Sequence, residues 1–342
     1  MNFRLLLLLC GLAHSSFLLK AQIDELPQRT ALFEYQLEFQ EETISYLLSS
    51  GGQYEDPRKL VLYLQGSQPI PLFIKQESGA YATTFPADYY PHRADYFFCI
   101  LPKPGTPIVA GEDTLAPSGM CLDLETHTMP EAYQKHNYLD YYVKRAAAIL
   151  EHLAGKLELD SIIVIGGSEG ARVGTALART CPLVTHFIYY SADPLGRFNQ
   201  LLAAERNASL RGETTAEEAE ANIEKLYAEW TVKNADPLSV DATTGDTNRA
   251  WVSFSAPLVE DLLELEIPVL VAYGTADDAI SNMDHLRLEA IRRNRQNMEF
   301  KAYPDHDHHL NKVVRNEDGK AVSSEYVFDK IYADWLAWTT EH

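Results

Sequence analysis

Basic side chains are scarce in this sequence. Lysine and arginine number 29 against 49 aspartates and glutamates, a formal charge of −20. So acidic a chain argues against nucleic acid or an anionic membrane as partner. Cysteine is scarce too, with four in 342 residues and no C-x-x-C or zinc-type spacing, so no dithiol or zinc motif is present. No internal repeat or low-complexity linker divides the chain, and beyond the N-terminus no segment looks transmembrane. What is present is 46% hydrophobic residues. That supplies a sizeable core for one large domain or two modest ones.

The opening "MNFRLLLLLCGLAHSSFLLKAQ" has Arg4, then an apolar stretch from Leu5, then Leu19-Lys20-Ala21. This pattern predicts a signal peptide over 1–21 and a mature chain of 22–342, exported to the periplasm or secreted. A lipid on Cys10 and an uncleaved anchor are the alternatives, but Leu7-Leu8-Leu9 makes a poor lipobox, and His14, Ser15, Ser16 and Lys20 interrupt any run long enough to span. Cys99, Cys121 and Cys181 then remain. Export permits a Cys99–Cys121 bridge, and buried free thiols are the other reading.

Along the chain, "FEYQLEF" and "TISYLLS" flank "QEE" and read as a hairpin. Strand patterns follow at 59–65, 96–101, 162–165, 183–191, 267–274 and 298–304. Helical spacing runs through Leu139, Tyr142, Val143, Ala146, Ile149 and Leu150, again over 283–293, and through the C-terminal "SEYVFDKIYADWLAWTT". Strands alternating with helices predict an α/β protein, its mostly parallel sheet covered on both sides. Residues 195–256 hold no convincing strand. Thr215 and Glu218 form a capping box there, and the section reads as a helical cap or lid insertion. Tyr81, Tyr89 and Tyr90 read as packing residues rather than pocket lining.

The stretch "DSIIVIGGSEGARVGTALA", 160–178, carries the chemistry. A β-branched strand runs into Gly166-Gly167-Ser168-Glu169-Gly170, and an alanine-rich helix follows. That is the context of a G-x-S-x-G nucleophile elbow. A phosphate-binding turn is the other reading, but no G-x-G-x-x-G and no Gly-Lys-Ser/Thr stands there. A serine hydroxyl needs a base, and the base needs a carboxylate to orient it. In a parallel sheet these groups belong at carboxyl ends of strands. Asp277 and Asp278 follow "PVLVAYG", and "DHDHH" at 305–309 follows "MEFKAYP". The order Ser, Asp, His is the one expected. The acids otherwise read as helix caps, and the histidines as a metal cluster lacking further ligands. An oxyanion also needs donors. The N–H of Glu169 supplies one. The loop Gln65-Gly66-Ser67-Gln68 supplies another, from Ser67 first and Gln68 second.

These motifs resemble the α/β-hydrolase superfamily over about residues 33–340: "GGSEGA" at the elbow, "LQGSQ" at the oxyanion loop, "GTADD" and "YPDHDHHL". The likeness is to exported bacterial esterases, thioesterases and acyl-peptidases. It implies about eight strands with the second antiparallel. It selects Asp277 through "GTAD" and His308 through "Y-P-x-x-x-H", over His306 and His309. Gln65 stands where many members carry histidine, which leaves a backbone donor intact. The implied activity is hydrolysis of a carboxylic ester, peptide or thioester on a small-molecule or peptide substrate, through Ser168, Asp277 and His308, without metal or organic cofactor. A non-catalytic binder that keeps the fold is the rival.

Overall fold

The computed structural model describes residues 31–49, 58–242 and 245–342. The leader read over 1–21 and Cys10 lie outside these residues. The chain opens with β1 (Leu32–Phe39), β2 (Glu42–Ser49) and β3 (Arg58–Leu64), then β4 (Phe73–Gln76), β5 (Gly79–Ala82), β6 (Tyr96–Ile100) and β7 (Val109–Gly111). Helices α1 (Glu131–His136) and α2 (Leu139–Ala154) lead into β8 (Leu159–Gly167), α3 (Glu169–Thr180) and β9 (His186–Tyr190). Four helices follow: α4 (Arg197–Leu210), α5 (Ala216–Ala235), α6 (Asn248–Ser253) and α7 (Val259–Leu263). The chain ends with β10 (Val269–Gly274), α8 (Ile280–Arg292), β11 (Met298–Tyr303), β12 (Lys312–Arg315), β13 (Ala321–Glu325) and α9 (Phe328–Glu341).

The main sheet has eight strands in the order β1-β2-β6-β3-β8-β9-β10-β11. β2 pairs antiparallel with β1 and with β6, and the other pairings are parallel. The second strand alone runs backwards, as the resemblance implies.

Strand alternation feeds two cores. Leu60, Leu62, Ile162, Val164, Val269 and Val271 face one side with α2, α3, α7 and α8. Val61, Tyr63, Ile163, Ile165, Leu270 and Ala272 face the other, against Ile331, Trp335 and Leu336 of α9. A period of two places successive side chains on opposite faces, so an unbroken apolar run is what a doubly covered strand requires. Each fully buried aliphatic side chain contributes roughly 1.5–3 kcal/mol.

The structure departs from the sequence reading in places. The helix expected through Leu139 is preceded by a separate α1, because Asn137 leaves the helical region at φ −77°, ψ 77°. Its amide donates to Asp246 Oδ1 at 2.9 Å and its carbonyl accepts the Tyr142 hydroxyl at 3.1 Å. A three-stranded sheet of β5-β4-β7 and the β12-β13 hairpin were not anticipated. Their strands have three to five residues, and β13 is exposed throughout, so they carry little hydrophobic period. Tyr89 packs in the core, Tyr90 packs against it, and Tyr81 is exposed. Cys99, Cys121 and Cys181 are free thiols.

Candidate active site

Loops after β3, β8, β10 and β11 converge at the carboxyl ends of the parallel strands. They bring Ser67, Ser168, Asp277 and His308 to one cavity of about 460 Å³. That size suits a small ligand.

Ser168 sits between β8 and α3 at φ 52°, ψ −116°. Non-glycine residues rarely adopt this region, and such strain costs of order 1–3 kcal/mol. The surroundings enforce it. The Ser168 N–H donates to Tyr190 O at 3.1 Å, and the Ala171 N–H donates to Ser168 O at 3.2 Å. A Cβ on Gly166 would collide with the Gly170 carbonyl, and one on Gly170 with the Leu64 carbonyl. The glycines fencing the serine thus let strand, helix and neighbouring strand close up beneath it.

Asp277 is buried at 4% exposure. Its Oδ1 accepts the Ala279 N–H at 3.1 Å, and its Oδ2 lies 2.8 Å from His308 Nδ1. His308 Nε2 lies 3.2 Å from Ser168 Oγ. Burial raises the Asp277 pKa, but the hydrogen bond and charge of His308 outweigh it and hold the carboxyl below its ordinary value. Burial lowers His308, yet the hydrogen bond and charge of Asp277 lift it above its ordinary value. Both shifts favour an imidazolium–carboxylate pair.

The neighbouring candidates face elsewhere. His306 Nδ1 meets Pro304 O at 2.8 Å, and Asp278 pairs with Arg211 at 2.6 Å. The His309 ring stands edge-on to His308, with centroids 5.6 Å apart. Among the described residues no cluster of three or more His, Cys, Asp or Glu could hold a metal. The loop after β3 places Ser67 in the cavity wall beside Ser168 and Glu169. Gln68 has φ 79° and an exposed side chain, and its N–H is turned to the Tyr133 hydroxyl. Of the two loop residues, Ser67 is the one that lines the cavity.

Sequence reasoning missed the rest of the wall. Arg172 lines it from α3, and Arg197, Gln200, Leu201 and Ala204 line it from α4. Gln200 Nε2 comes within 3.3 Å of His308 Nδ1. The signal for Arg172 in the sequence is its place in the first turn of the helix that follows the nucleophile. Lys103 from the loop after β6 pairs with Glu169, and both are buried.

No family model and no curated protein matches the chain. Solved structures do. One, described as a dienelactone hydrolase from Klebsiella pneumoniae subsp. pneumoniae MGH 78578, superposes with TM-score 0.51 at 13% identity, covering 90% of this chain and 98% of that one. The chain has the α/β-hydrolase fold. A proline iminopeptidase of Mycobacterium smegmatis matches with TM-score 0.47 at 14% identity, over 81% of this chain and 91% of that one. An acylaminoacyl peptidase of Pyrococcus horikoshii matches with TM-score 0.48 at 9% identity, over 81% of this chain. This chain spans only 37% of that peptidase. At such identities the likeness establishes fold alone.

Proposed function

We propose that the protein is a serine hydrolase that cleaves a carboxylic ester or related acyl bond. The observation that carries this reading is the chain of contacts from Asp277 through His308 to Ser168, on three strand ends. His308 Nε2 takes the hydroxyl proton as Ser168 Oγ bonds to the acyl carbon. The carbonyl electron pair moves to oxygen, which meets the N–H groups of Glu169 and Ser67. Each such donor is worth about 10²–10³ in rate. The intermediate collapses, and the leaving group departs with the proton from His308. Water, deprotonated by His308, then attacks the acyl-enzyme and frees acid and serine.

In this reading α4, α5 and α6 form the cap, since α4 supplies one wall of the cavity. Residues 1–21 are a leader removed on export. No helix among the described residues is long and apolar enough to cross a membrane.

A fluorophosphonate probe tests the reading. It should label the protein covalently, with the adduct mapped to Ser168. Unlabelled protein that turns over no acyl substrate would favour a binding role for the fold. A panel of p-nitrophenyl esters, aminoacyl anilides and acyl thioesters separates ester, peptide and thioester cleavage. We expect the esters to be turned over fastest.

A further inference from the structure

Arg172 is 3% exposed, yet it makes no ion pair among the described residues. Its Nη2 donates to the backbone oxygen of Asp193 at 3.1 Å, while its Nη1 is buried with no hydrogen-bond partner. A buried guanidinium with an idle donor is costly. The nearby carboxylates have other partners. Glu169 pairs through Oε1 with Lys103, while its Oε2 is buried without a partner, and Asp246 lies 2.6 Å from Arg197 Nη1. The Asp193 carboxylate accepts the Leu195 N–H at 2.8 Å and the Asn199 and Asn282 amides at 3.2 and 2.8 Å.

A second guanidinium shares the wall. Arg197 begins α4, rests 3.8 Å above the Trp251 ring and lines the same cavity. Its charge acts on Arg172 as a like charge. Of the acidic groups of the cavity, Asp277, Asp278 and Asp307 come from the loops after β10 and β11, and Glu169, which pairs with Lys103, comes from α3. The cationic groups stand on α3 and α4, and three of the four acidic groups stand on those loops.

We propose that Arg172 and Arg197 form a subsite for a carboxylate carried by the substrate, so that the preferred ester bears a negative charge near its acyl carbon. This inference rests on the serine-hydrolase reading and names the substrate class of that site. A carboxylate offers two oxygens to planar guanidinium forks. It gives the idle Arg172 donor an acceptor and separates the two like charges. Arg172 stands in the first turn of the helix that follows Ser168, and both residues line the same cavity.

The test compares p-nitrophenyl butyrate with the mono-p-nitrophenyl ester of glutaric acid, which adds a terminal carboxylate. The wild type should show a kcat/KM at least about tenfold higher for the charged ester. In Arg197→Gln and Arg172→Gln that ratio should fall towards one or below. Equal values in the wild type, or a ratio that survives in both folded variants, would overturn the subsite while leaving the hydrolase reading untouched. Arg172 is buried and its variant stands to lose its fold. Competitive binding to wild-type protein, glutarate against butyrate, therefore gives an independent readout. Glutarate should bind at least tenfold more tightly, and equal affinity would overturn the proposal. If neither ester is cleaved and the fluorophosphonate probe leaves Ser168 unlabelled, the hydrolase reading fails, and calorimetry with the same two acids still decides the carboxylate subsite.

Discussion

Gly170 stands so close to Leu64 that a Cβ on it would collide with the Leu64 carbonyl oxygen. The contact ties the first turn of α3 to the end of β3. It thereby fixes Ser168 relative to the loop that carries Ser67. Gly170→Ala has no flexible neighbour to displace, because the obstructing atoms are backbone. Overpacking of this kind costs about 1–3 kcal/mol. The variant should lower the urea midpoint accordingly and reduce kcat with little change in KM. An unchanged midpoint would show that helix and strand separate freely.

Ser168→Ala should reduce ester turnover by at least ~10³-fold with the far-UV circular dichroism unchanged. His308→Ala should do nearly the same, because the groups act as a unit. His306→Ala and Asp278→Asn should cost far less, since their side chains face Pro304 and Arg211. A severe loss in either, with the fold retained, would contradict the assignment.

The base must be neutral to accept a proton, so activity falls as His308 becomes protonated. Asp277 lifts the His308 pKa against the opposing effect of burial. The acid limb of kcat/KM should therefore have its midpoint above the ordinary histidine value of 6.5. Asp277→Asn removes the lifting charge and leaves burial in place, so the residual activity should show a lower midpoint. A midpoint that stays put or rises in Asp277→Asn would remove His308 from the role of base.

The legible parts of this molecule are those whose physics is local. Ile162 to Ile165 announce a covered strand because both faces are buried, and the glycines around Ser168 announce close approach of backbone. The order of acid and histidine follows from strand ends, which the apolar runs locate. The cavity wall is different. Arg172 and Arg197 share the cavity wall only because the chain after β9 brings the start of α4 to it, and no period in 195–256 encodes that placement. The pairing of Lys103 with Glu169 joins a loop to a helix far along the chain, and neither residue has a local signal. The short β4, β5, β12 and β13 escaped for the opposite reason, since they bury too little to leave a pattern.

The free thiols predict inert chemistry. Burial pushes the Cys121 thiol up to about 11 and Cys99 well beyond, and it raises Cys181 too. Few thiolates exist at pH 8, and the thiolate is the reactive form. A thiol reagent should react slowly with the native protein and rapidly with all three in guanidinium. Dithiothreitol should leave Tm unchanged, and a fall in Tm on reduction would reveal a bridge.

Lys103 and Glu169 are 5% and 3% exposed. The ammonium also lies 4.4 Å from the Tyr142 ring centre. Taking two charges out of water is expensive, so the pair itself adds little net stability, but removing one partner strands the other. Lys103→Met should cost about 3–5 kcal/mol, because Glu169 already has one carboxylate oxygen without a partner. Glu169→Leu combined with Lys103→Met should recover much of that loss, since no uncompensated charge remains. A double-mutant cycle on urea unfolding measures the coupling. The two single losses should sum to well over the double loss. If they sum to it, the charges are independent, and Lys103 does not hold the residue that follows the nucleophile.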